Sequence, residues 1–86
     1  MSKIEKLIAS LLGDSSDHSF ADLKKVLLAF GFIEVRSKGN HHVFRHEDGR
    51  NQVIPKKHGK KVRKVYVDDA IESLNLREWY EQRKSD

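Results

Sequence analysis

Cysteine is absent from the 86 residues. Its absence excludes disulfides, thiolate metal ligands, iron–sulfur ligation and thiol nucleophiles together, and it fits a reducing compartment. Long apolar runs are missing too. No stretch approaches the roughly 18 apolar residues of a membrane span. Leu7–Leu12, broken by Ala9 and Ser10, is too short for a signal-peptide core. The expectation is a soluble, cytoplasmic protein with no membrane association. A chain of this length has no room for a separate cofactor domain and reads as one domain over 1–86. It buries only roughly 60–65% of its unfolded surface, so each apolar stripe must contribute to the core.

Charge is plentiful but unevenly laid out. The 17 Lys plus Arg against 13 Asp plus Glu give a formal +4. Residues 1–31 are neutral, residues 32–66 carry +7, and residues 67–86 carry −3. The densest stretch, Pro55–Lys64, holds six cations and one histidine in ten residues. A basic segment between a neutral and an acidic block is the footprint of a polyanion binder. A solvated lysine-rich loop is the plainer alternative.

Apolar periodicity divides the chain into elements. Ile4, Leu7, Ile8, Leu11 and Leu12 form a helical stripe ended by Gly13. Asp14–Asp17 reads as a polar connection. Ser19 has N-cap spacing to Asp22 and opens a second helix with Phe20, Leu23, Val26, Leu27 and Phe30 on one side and Gly31 as its C′ residue. From Phe32 the period falls to two. Ile33 and Val35 alternate with Glu34 and Arg36 in a first strand; His41–His46 and Gln52–Ile54 are two more, joined by Ser37–Asn40 and Glu47–Arg50 and closed by Pro55. Phe44 is expected in the core and Val43 on the opposite face. Val67, Ala70, Ile71 and Leu74 return to helical spacing, and Leu76–Lys84 reads as a continuation or a short extra helix, with Trp79 and Tyr80 covering the sheet edge. The expected class is α+β: a three-stranded antiparallel sheet with helices packed on one face, in the order α-α-β-β-β-α. Its other face is left open to solvent.

Of the five histidines, four lie in the +7 block. As metal ligands they are poorly spaced. His42 and His46 share a strand face but stand roughly 13 Å apart at about 3.3 Å per residue, and His41 points to the other face. Acid–base work at a phosphate suits them better. Imidazole exchanges a proton near neutral pH, RNA carries its own 2′-hydroxyl nucleophile, and lysines can offset the charge that builds on the phosphate. None of these steps calls for a cofactor. His41 follows a glycine turn beside Lys38, and His58 lies within the lysine cluster, so both are candidates for proton transfer.

The residues Phe30-Gly31-Phe32, Lys38-Gly39-Asn40-His41-His42, Glu47-Asp48-Gly49-Arg50, Val53-Ile54-Pro55 and His58-Gly59-Lys60-Lys61 resemble, over Ser19–Leu76, the HicA-type mRNA interferase toxins of HicA–HicB toxin–antitoxin modules. Asn40 stands where the family usually has Ser. The resemblance implies a double-stranded-RNA-binding-domain-like fold, ribosome-independent cleavage of mRNA, and neutralisation by a HicB-type antitoxin. By position it makes His41 the catalytic histidine. On this basis Lys38, Asn40, Lys56, Lys57, Lys60, Lys61 and Lys64 are expected to contact RNA, with His58 as a second proton-transfer group and neither metal nor small-molecule cofactor. Residues 1–18 then form a helical extension, 19–76 the family-like core and 77–86 an acidic, aromatic-containing tail. A non-catalytic RNA-binding module and an inactive homologue whose basic face serves a protein partner remain the alternatives.

Overall fold

In a computed structural model the described residues are 2–57 and 59–84. Ser2 closes a capping box on helix α1 (Lys3–Leu11). Its hydroxyl accepts from the Glu5 amide at 3.2 Å, and the Glu5 carboxylate accepts from the Ser2 amide at 3.3 Å. Ile8 and Leu11 of the stripe are buried. Strand β1 (Asp17–Ser19) leads directly into α2 (Phe20–Ala29), where the Ser19 hydroxyl accepts from the Asp22 amide at 3.3 Å. Gly31, at φ +91°, ends the helix as its C′ residue. A methyl group there would lie 2.8 Å from Nε2 of His46 and strain the backbone as well.

The main sheet has the order β2 (Phe32–Lys38), β3 (His41–His46), β4 (Asn51–Pro55), all antiparallel. Phe32, Phe44 and Ile54 turn inward, each 1% exposed or less, and meet Leu23, Val26 and Leu27 in one core. The turn between β2 and β3 has positive φ at Gly39 and not at Asn40, the requirement of a type II′ hairpin. Helix α3 (Lys64–Leu74) buries the four expected residues, Val67, Ala70, Ile71 and Leu74. With four helices among the described residues, this α+β arrangement fits the double-stranded-RNA-binding-domain-like fold.

Three details depart from the periodicity, and the alternative left open after Leu74 resolves to a short extra helix. Asp17–Ser19 is not wholly connection, and Lys61–Arg63 is not loop: they pair as β1 and β5 in a separate antiparallel ribbon, with His18 opposite Val62. Three-residue strands are too short to show an alternating pattern. Helix α4 (Leu76–Lys84) is a separate helix, because Asn75 takes a left-handed conformation at φ +54° that α3 cannot continue through. Trp79 meets Phe30 edge-on at 5.6 Å and so covers the end of α2 rather than a sheet edge. Finally, β2 holds a β-bulge. Glu34 pairs with Phe44 and Arg36 with Val43, leaving Val35 as the extra residue.

Candidate active site

The bulge decides which side chains share a face. Before it, Ile33 faces outward and Glu34 faces the helices. Strict alternation would place Arg36 beside Glu34 and Lys38 after it on the same inner side. The extra residue shifts the phase by one, so Arg36 lies opposite Val43 and Lys38 opposite His41 on the open face. The alternation makes Ile33 and Val35 the half-buried side, but both are exposed, at 61% and 47%, and Val35 and Arg36 share the open face with Val43 and Arg45. Val35, Arg36, Val43 and Arg45 line a cleft of about 360 Å³ on this face. Alternation on β3 alone puts Arg45 on the side of His41 and Val43, whereas its meeting with Arg36 depends on the bulge, which has no periodic signal.

His41 is exposed at the first position of β3, directly after the Gly39-Asn40 turn. Its neighbours across the sheet are Lys38 on β2 and Pro55 on β4. The Lys56 amide donates to the Asn40 carbonyl at 2.7 Å, which fixes the start of the basic segment against the turn. Lys38, Asn40, His41 and the backbone of Lys56 thus meet at one end of the sheet. A cleft of about 220 Å³ adjoins it, lined by Pro55, Lys56, Lys57, Arg63 and Tyr66. Arg63 and Tyr66 were not among the expected contacts; their approach depends on the β1–β5 ribbon, which left no sequence signal.

The remaining lysines divide. The Lys57 ammonium pairs with Asp17 at 3.3 Å and that of Lys64 with Asp68 at 3.7 Å, while Lys56 lies 4.8 Å from the centre of the Phe20 ring. Lys60 and Lys61 are exposed and have no ion pair among the described residues. His58 lies outside the described residues.

The other described histidines have structural surroundings. His42 faces the helix side, its ring 4.6 Å from that of Phe20, and its Nδ1–H donates to the Glu34 carboxylate at 2.6 Å. His41 and His42 therefore occupy opposite faces. His46 accepts the Asp48 amide on Nδ1 at 3.1 Å and packs edge-on against Phe32 at 5.1 Å. Asp48 is held below its usual range chiefly by the Arg50 amide, with the Arg50 guanidinium adding to it. His18 is 6% exposed within the ribbon. Among the described residues, no three His, Asp or Glu side chains converge as a metal-binding group would require.

Glu34 makes a testable link between charge and stability. Its carboxyl is lowered first by the hydrogen bond from His42 and then by Lys24, whose ammonium is 3.0 Å away, with partial desolvation opposing both. The folded-state pKa is the lower one, so the unfolded chain binds the extra proton as the pH falls. The stabilisation is complete above the ordinary carboxylate value of about 4.3 and is lost as the pH drops through the folded-state value. Glu34→Gln should flatten this acid limb. Between about pH 5 and about pH 3 the parent Tm should fall more steeply than that of the variant, and equal slopes would count against the pairing.

No helix among the described residues is long and apolar enough to cross a membrane. In comparisons with known proteins, the family model described as HicA toxin of bacterial toxin–antitoxin matches residues 20–76, about two thirds of the 86 residues. No curated protein and no solved structure matches. The family consists of toxins that are generally mRNA-cleaving ribonucleases and that are paired with an antitoxin partner. The chain belongs to the HicA toxin family.

Proposed function

We propose that this protein is an endoribonuclease toxin that cleaves mRNA by metal-independent histidine acid–base catalysis, with His41 as the proton-transfer group. A HicB-type antitoxin would neutralise it, and mRNA as substrate makes the cytoplasm its site of action. The observation that carries the reading is His41 itself. It is exposed at the start of β3, opposite Lys38 across a two-residue turn and beside the basic segment.

The chemistry follows from those neighbours. His41 as base takes the proton of the ribose 2′-hydroxyl, and the freed oxygen attacks the adjacent phosphorus. The bond to the 5′ oxygen breaks, and that oxygen takes a proton from water to leave as a hydroxyl, while His41 returns its own proton to solvent. The products are a 2′,3′-cyclic phosphate and a 5′-hydroxyl end. If His41 instead supplies the departing oxygen, a second group must act as base, and His58 in the basic segment is the candidate. Lys38 offsets the charge gathering on the phosphate oxygens. Lys56, Lys57, Lys60, Lys61 and Lys64 position the backbone, with Asn40 supplying a polar contact at the turn.

A chimeric test separates this chemistry from binding alone. The purified chain is incubated in a chelator with an RNA oligonucleotide and with the DNA of the same sequence. The RNA should be cut to 2′,3′-cyclic phosphate ends and the DNA should stay intact. RNA bound in a salt-dependent way but never cut, at any pH, would instead identify a non-catalytic RNA-binding module.

A further inference from the structure

We infer that single-stranded RNA approaches His41 along the open face of the main sheet, gripped by Arg36 and Arg45, rather than across the helix layer. The inference rests on the nuclease reading and adds to it a substrate track and two residues outside the basic segment.

The strands of this face carry cations, and a carboxylate just outside them, Glu47, lies at the hairpin end beside Arg45. The only carboxylate within β2, β3 and β4 is Glu34, and it turns inward to His42 and Lys24. Arg36, Lys38 and Arg45 have no ion pair with any described residue. Of the lysines elsewhere, Lys24, Lys57 and Lys64 each face a carboxylate, whereas Lys60 and Lys61, in the basic segment next to His41, stay uncommitted among the described residues. Uncommitted cations gathered on one surface present a polyanion with charge that costs no displaced partner.

The clamp is also shaped and oriented. Arg36 and Arg45 line a cleft of about 360 Å³ together with Val35 and Val43. Arg45 Nε donates to the Asn51 side-chain oxygen at 3.1 Å, which steadies the guanidinium and leaves its remaining N–H groups without an acceptor among the described residues. A guanidinium is suited both to bidentate phosphate contact and to stacking on an unstacked base. Arg45, Val43 and His41 follow one another at two-residue steps on β3, so the clamp and the proposed proton-transfer group lie roughly 13 Å apart on the same side at about 3.3 Å per residue. The exposed Ile33 and Val53 beside the track are apolar enough for ribose and base. A protein partner would also suit them, but the two guanidinium groups without an ion pair among the described residues favour RNA.

The test uses the full chain carrying His41→Ala, so that binding is measured without turnover. A labelled single-stranded RNA is titrated at several salt concentrations against this parent, against the parent with Arg36→Gln and Arg45→Gln, and against the parent with Lys3→Gln and Lys6→Gln on α1. The arginine variant should bind about tenfold or more weakly, and its salt slope should shrink by about 1.4, or about 0.7 for each lost phosphate contact. The α1 variant removes the same charge and should match the parent. Circular dichroism confirms folding, and a folded Arg36→Lys, Arg45→Lys variant should recover part of the loss. Equal binding by the arginine variant and the parent, while the unaltered chain still cleaves RNA, would overturn the track and leave the nuclease reading intact. If the chain neither binds nor cuts RNA, both fall.

Discussion

A His41→Ala chain should cleave RNA about 10²- to 10⁴-fold more slowly than the parent, the range that one positioned acid or base contributes. Its melting temperature should stay where it was. His41 is exposed, and no side-chain hydrogen bond or ion pair joins it to another described residue. Exposed substitutions of that kind usually change stability by less than about 0.5 kcal/mol. Induced expression in a bacterium, followed by growth and mRNA integrity, shows the same contrast in cells: arrest and degraded message for the parent, neither for the variant. His42→Ala is the informative neighbour. It removes the partner of Glu34 and the ring against Phe20, so its first effect should be on stability. Undiminished cleavage by a folded His41→Ala chain would sink the catalytic assignment.

Phe44→Ala should cost about 3–5 kcal/mol, as the loss of a buried aromatic ring does when the surroundings cannot collapse. Phe44 is 0% exposed on the central strand, with the Phe20 ring 6.3 Å away, and it belongs to the one core shared by the sheet and the helices. A domain of this size has only about 5–15 kcal/mol in total, so the variant should unfold at a much lower urea concentration. Val53→Thr, on the opposite face at 51% exposure, should move the midpoint by less than about 0.5 kcal/mol. If the two substitutions had similar effects, the assignment of inner and outer faces would be wrong.

Much of this arrangement was legible because it rests on local chemistry. Ser19 announces a helix by its spacing to Asp22, Gly31 marks the end of that helix, and Val67, Ala70, Ile71 and Leu74 share a face through the helical period. His41 and Lys38 were legible as a pair because a two-residue turn must bring its flanking residues together. What escaped depends on distant parts of the chain. The ribbon of β1 and β5 joins segments more than 40 residues apart through three-residue strands, and the Lys57–Asp17 pair exists only because that ribbon does. Basic residues in Pro55–Lys64 read alike in the sequence, yet some face carboxylates and others face solvent. That Val35 and Arg36 share the outer face escaped for a different reason. Alternation predicts faces only while the count of residues on two paired strands stays equal.

That last point has a genetic consequence. At position 35 the presence of a residue matters more than its identity, since Val35 takes part chiefly by being one residue too many. Missense changes at this position should be borne lightly. Losing the codon would keep every other side chain and still turn Arg36 and Lys38 away from His41, converting a single in-frame deletion into the loss of two cations at once.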